Sequence, residues 1–333
     1  MLKLAEKNRK WWILLAMSSS LALVFIDQTA LAVALPAIQR ELNLSNSLSQ
    51  WVINAYLLAL SAIILLGGKI GDRLGHKRAF LAGVIVFITA STLAALAESG
   101  AWLITARAIQ GIGAAFMMPS TNALVTNAFP AQERGKALGI YIALATIFLA
   151  LGPLLGGFLT QVFSWRAVFW INFPIALISI ILAISSVPTW RRREKLNIDY
   201  LGFFISVIFI SGFVLGFMEA PNWGWTSLPI MGLFLLSIIS LITFIGWEKK
   251  IPHPLVELTL FKNLTFTTLF SVLLIIQAVA IVFVFLAIFL QNVLHYSPLM
   301  AGLLLLPAMV SVVIYVINMG LPFLCFAALC WWC

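Results

Sequence analysis

The sequence predicts an all-α polytopic membrane protein, and three observations carry that prediction. Of 333 residues, 62% are hydrophobic and only 9% charged, whereas soluble domains carry about a quarter charged residues. The apolar residues gather into runs near the roughly 20 residues that a helix needs to cross a hydrocarbon core of about 30 Å. The runs do not alternate apolar with polar residues at half that length, as the strands of a membrane barrel would.

Ten runs follow in order: 11–35, 51–70, 79–97, 101–125, 137–160, 167–187, 200–217, 228–247, 267–291 and 299–318. The first has the basic start and apolar middle of a secretory signal. Its length, Asp27 within it and the nine runs behind it make it a retained helix instead. All twenty Lys and Arg except Arg40, Arg107 and Arg166 fall at the amino terminus or in alternate connections. Basic residues beside a helix end resist translocation, so the amino terminus and these connections are expected in the cytoplasm. The net charge of +9 is then a topology signal and a set of contacts to anionic lipid headgroups. Spread over five segments rather than one face, it calls for no nucleic acid.

The connection after the second run reads GGKIGDRLGHKR, residues 67–78. Its glycines Gly67, Gly68, Gly71 and Gly75 permit a tight turn and close helix approach. Asp72 is expected just before the third helix, where an acid meets the positive end of the helix dipole. Taken alone, the stretch is either a well-made cytoplasmic turn or a functional loop.

Within the runs, only Asp27 and Arg107 carry charge deep in a helix, and such residues usually face a partner or a cavity. If the first helix runs outward, Asp27 lies ~12 Å from its outer end; Arg107, on an inward-running helix, lies ~9 Å from its own. The matched depth allows pairing if the two helices are neighbours. Asp27 is then a carboxyl that loads and releases a proton, or half of a static ion pair; intramembrane charge favours the first. Gln110, one turn beyond Arg107, extends the polar patch or serves packing. Gly152 and Gly156, four apart around Pro153, fit close helix contact and a bend. Trp51, Tyr56, Trp165, Trp170 and Trp223 are interfacial anchors or line a ligand path.

Several stretches resemble, in order, the signatures of one family. Residues 67–78 are similar to the loop between helices two and three of the major facilitator superfamily. IDQTALAVALP (26–36) resembles the first-helix signature of its fourteen-helix drug:proton antiporter branch. LITARAIQGIGAA (103–115), ALGPLLGG (150–157) and SWRAVFWINFP (164–174) resemble its fourth-helix arginine motif, fifth-helix antiporter motif and entry to helix six; NIDYLGF, PNWGW and HPLVELTLFKN also fit. Phe148 departs from the glycine that usually opens the fifth-helix motif. The resemblance covers about residues 11–311.

It implies a proton-coupled multidrug efflux transporter of the cell membrane, exporting hydrophobic, cationic drugs or toxic organic compounds against protons and without a cofactor. Asp27 and Arg107 would couple the proton. Gly68, Gly71, Asp72, Arg73, Gly75, Lys77 and Arg78 would form the cytoplasmic gate loop. Gly152, Pro153, Gly156 and Gly157 would form the antiporter helix, with Gln110 and Tyr56 along the substrate path. The implied domains are a six-helix half (1–190), two linker helices with a cytoplasmic loop (191–262) and the first two helices of a second half (263–318).

No enzyme is read in the chain. His76, His253 and His295 lack metal-ligand spacing and no GxxxxGK[ST] loop occurs, so energy would come from an ion gradient. IQRELNLS (38–45) and LQNVLHYS (290–297) share Gln, Leu and Ser at one offset, a short match of the kind that repeated halves leave. From Asn263 onward there is no Lys, Arg, Asp or Glu, and Cys325, Cys330 and Cys333 all fall in the tail. The CxxC of Cys330 and Cys333 has no second pair to support a metal or redox site. Residues 319–333 therefore read as an aberrant, truncated or frameshifted end, and the alternative function is a transport-inactive or accessory membrane fragment.

Overall fold

A computed structural model describes residues 8–188, 199–307 and 311. Its elements are α1 (Arg9–Glu41), α2 (Asn46–Leu74), α3 (His76–Ala95), α4 (Gly100–Ala128), α5 (Ala131–Val162), α6 (Ala167–Trp170), α7 (Asn172–Ser186), α8 (Tyr200–Trp223), α9 (Leu228–Glu248), a 3-10 turn (Leu258–Lys262), α10 (Leu264–Asn292) and α11 (Pro298–Pro307). No strand occurs among the described residues. Among the described residues, eight segments, α6 and α7 counted together, are long and apolar enough to cross a membrane. This is an all-α, multi-pass membrane protein. The aberrant tail expected at 319–333 lies outside the described residues, as does most of the tenth run beyond Pro307.

Helices α1 to α7 form one bundle held by small residues. In lipid, helices gain little by burying apolar surface against each other, so close backbone approach carries the packing. A Cβ on Gly67 of α2 would stand 2.2 Å from the Ala115 carbonyl oxygen of α4, and one on Gly111 of α4 2.3 Å from that of Tyr56. Gly83 of α3 and Gly113 of α4 abut in the same way. α8 and α9 pair as a hairpin turned at Gly224 (φ 88°). The hairpin rests on α2: Trp51 Nε1 donates to Glu219, and Asn222 donates to Ser47.

Two expectations are corrected. The second helix does not stop where the glycines begin but runs through Gly67, Gly68 and Gly71 to Leu74, and Gly75 (φ 95°) alone makes the break before α3. Asp72 therefore lies in the last turn of α2, not at the start of the third helix. Its Oδ1 is 3.3 Å from Nε2 of His76. Of the aromatic residues read as anchors or path-lining, Tyr56 and Trp165 are fully buried. The Trp165 indole donates to Glu41.

The short internal repeat has a structural counterpart. Asn43, between α1 and α2, and His295, between α10 and α11, both adopt left-handed backbone, with φ of 50° and 57°. Two residues on, Ser45 accepts from Leu48 N at 3.2 Å, and Ser297 accepts from Met300 N at 3.3 Å. Both serines also accept through their carbonyls, from Ser49 N and Ala301 N. The two turns are one device used twice at the same spacing along the chain.

Candidate functional site

Asp27 lies near the middle of α1, wholly buried, and Arg107 of α4 is 1% exposed. They meet: Arg107 Nη1 donates to Asp27 Oδ2 at 2.5 Å. Desolvating two charges costs several kcal/mol per ion, which attraction offsets only when further hydrogen bonds fill the remaining valences. Those bonds are present. Gln110 Nε2 donates to Asp27 Oδ1 at 2.8 Å, and Asn172 Nδ2 of α7 to the same oxygen at 3.2 Å. Arg107 Nε donates to the Val52 carbonyl of α2 at 3.1 Å, and Nη1 also to Gln110 Oε1 at 2.6 Å. The guanidinium lies 4.4 Å from the centroid of the Tyr56 ring, a cation–π contact.

Gln110 and Tyr56 are thus both fully buried against Arg107. Asn172 and Ser91, whose Oγ accepts from Asn172 at 3.0 Å, complete the site and were not singled out in the sequence. Both are uncharged, which is ordinary in a membrane helix. The available signal was position: Asn172 falls inside SWRAVFWINFP, the most polar side chain of its run. The chemistry this arrangement offers is gain or loss of one proton at Asp27 beside a permanent cation.

The fifth-helix motif packs on the turn after Asp27. A Cβ on Gly152 would collide with Thr29 Oγ1, and one on Gly156 would stand 2.4 Å from the Ala30 carbonyl oxygen. The adjoining face of α5 meets α11: Gly157 abuts Pro298, and Gly302 abuts Pro153. Pro153 sits inside α5, which continues past it to Val162, and Phe148 packs beside the cluster around Ile26 and Phe169. Ala32 and Val33 of α1 cluster with Leu290, Ala301 and Leu305 of α10 and α11. The turn beyond Asp27 is pressed between α5 and the helices after the linker. A cavity of about 470 Å³ opens beside it, lined by residues such as Arg40, Gln291 and His295 but by no member of the Asp27 site.

At the opposite end of the bundle the basic loop is tied to α7. Lys77 Nζ donates to the carbonyls of Ile184 and Val187, and Arg9 Nε to that of Ser186. Cations there satisfy the open carbonyls of a helix end and meet its negative pole. Arg73 and Arg78 are exposed, and Gly68 has open room, with Pro119 Cβ 3.7 Å from where its own Cβ would be.

Comparison with known proteins gives a consistent picture. The family model described as Major Facilitator Superfamily matches residues 17–324. The tetracenomycin C resistance and export protein of Streptomyces glaucescens is 33% identical over 308 residues, covering 90% of this chain and 56% of its own. A puromycin resistance protein of Streptomyces alboniger is 34% identical, covering 90% and 60%. A multidrug efflux pump of Mycolicibacterium smegmatis is 35% identical, covering 92% and 61%. The chain spans little more than half the length of these relatives. Among solved structures, a peptide transporter crystallised with sulfate superimposes with a TM-score of 0.55 at 14% identity, covering 74% of this chain and 53% of its own; that likeness concerns the fold alone.

Proposed function

This chain belongs to the Major Facilitator Superfamily, and we propose that it acts in proton-coupled export of hydrophobic, cationic small molecules across the cell membrane, with its amino terminus in the cytoplasm. The observation that carries the reading is the Asp27–Arg107 pair, buried at the meeting of α1, α2, α4 and α7. A carboxyl held in low dielectric against a fixed cation has two accessible protonation states only if its surroundings change. Desolvation favours the neutral acid and the cation favours the carboxylate.

The packing after Asp27 supplies such a change. Thr29 and Ala30 touch α5, while Ala32 and Val33 touch α10 and α11. Rocking of one half on the other, the usual motion of transporters built from repeats, would therefore act on the turn that carries Asp27. The relatives named for drug and antibiotic resistance support the substrate class. Asp72, Arg73, Lys77 and Arg78 are proposed as the cytoplasmic gate, and Gly152, Pro153, Gly156 and Gly157 as the sliding face of the antiporter helix.

The test is export of a fluorescent lipophilic cation from vesicles holding the protein under an imposed pH gradient. Asp27→Asn is expected to abolish gradient-driven export while the protein still inserts. Export equal to that of the parent would remove Asp27 from the mechanism.

A further inference from the structure

Asn172 is wholly buried, yet its hydrogen bonding is one-sided. Nδ2 donates twice, to Asp27 Oδ1 at 3.2 Å and to Ser91 Oγ at 3.0 Å, while Oδ1 accepts from no group. Buried amide oxygens are ordinarily paired, so an acceptor left open beside a titratable acid requires a reason. An ionised carboxylate has only acceptors, and Asp27 in that state is met by donors from Arg107, Gln110 and Asn172. A protonated Asp27 becomes a donor itself and needs an acceptor. Among the hydrogen-bond partners of Asp27, Gln110 Oε1 already accepts from Arg107, whereas Asn172 Oδ1 accepts no bond.

We propose that Asn172 is a positioning residue that reads the protonation state of Asp27: its amide donates Nδ2 to the carboxylate, and turns about its terminal torsion to accept the acid proton through Oδ1. The inference rests on the reading of Asp27 as a proton carrier and adds a residue to it. Only the proton on Asp27 is gained or lost, exchanged with water, and the amide keeps both of its own hydrogens. The turn also withdraws Nδ2 from Ser91, so proton uptake loosens α7 from α3. Among the described residues, the charged or titratable groups facing Asp27 are Arg107 of α4 and Tyr56 of α2. The charges of α3 and α5 lie at their inner ends, and α7 and α10 have none.

The experiment is infrared titration of the carboxyl stretch of Asp27 in the full chain in lipid, with the band assigned by its loss in Asp27→Asn. Asn172→Leu removes donor and acceptor together and is expected to raise the titration midpoint by about one pH unit, because the hydrogen bond it loses to the carboxylate is stronger than the one it loses to the acid. Asn172→Ser, which donates and accepts, is expected to restore most of the difference. An unmoved midpoint in both variants would leave Asn172 a packing residue and overturn the inference while leaving Asp27 as carrier. An Asp27 that stays ionised throughout the titration would overturn both. Should the leucine variant not fold, the parent decides: with asparagine 13C-labelled at its side-chain carbonyl, an amide band absent from Asn172→Ser must shift at the Asp27 midpoint, and its constancy would refute the turn.

Discussion

Gly156 of α5 lies so close to Ala30 of α1 that a Cβ on it would stand 2.4 Å from the Ala30 carbonyl oxygen and 2.6 Å from its Cα. Backbone cannot yield as a flexible side chain can, so Gly156→Ala must separate two helices at the turn after Asp27. Overpacking of this kind costs about 1–3 kcal/mol. We expect Gly156→Ala to lower the unfolding temperature in detergent and to slow export. Gly232 and Gly246 of α9 meet nothing within 4 Å. Alanine there is expected to be neutral or to stabilise by about 0.5–1 kcal/mol through helix propensity. Equal responses at all three sites would show that close approach is not what Gly156 provides.

The buried ion pair makes a second prediction, independent of transport. Removing one partner leaves the other charge buried and alone, at a cost of about 3–5 kcal/mol, whereas replacing both with apolar groups of similar volume is often neutral. Asp27→Leu and Arg107→Met should each destabilise strongly, and the double variant should recover most of the loss. A thermal-unfolding cycle in which the two losses simply add would show that the pair does not bind as a unit.

Charge made half of this site legible in the sequence. Asp27 and Arg107 stand out because ionised groups inside apolar helices are rare, and counting residues from the helix ends puts them at one level. Asn172 carries no such mark: an amide in a membrane helix is ordinary until its partners are known, and those come from α1 and α3. Hydropathy located the first eight runs, each of which matches a candidate span among the described residues. The end of α2 did not, because Gly67 and Gly71 look like turn residues. They serve as contact surfaces, to Ala115 and to the His76 ring, and only the backbone of Gly75 makes the turn.

The matched turns at Asn43 and His295 give a third prediction. Left-handed backbone costs an ordinary L residue roughly 1–2 kcal/mol and glycine nothing. Asn43→Val and His295→Val should therefore destabilise by similar amounts, and the glycine substitutions should be neutral or better. Thermal unfolding of the four variants checks it. A valine tolerated at one site and not at the other would break the equivalence of the two turns.

The last prediction concerns sidedness. Arg9, Lys77 and Ser186 lie at one end of the bundle, where Lys77 and Arg9 hold the carbonyls that close α7. Lys10 pairs with Glu133 at that end as well. Glu41, Trp165 and Arg166 lie at the other end, where Arg166 donates to Glu41 and to the Ala97 carbonyl. The end rich in Lys and Arg is the one expected to stay in the cytoplasm. In a chain whose native cysteines are replaced by serine, cysteines at Arg73 or Lys249 should resist an impermeant thiol reagent added outside intact cells. A cysteine at Asn46, the exposed first residue of α2 at the opposite end of the bundle, should react. Labelling of Arg73→Cys from outside would invert the topology, and with it the direction in which Asp27 must take up and release its proton.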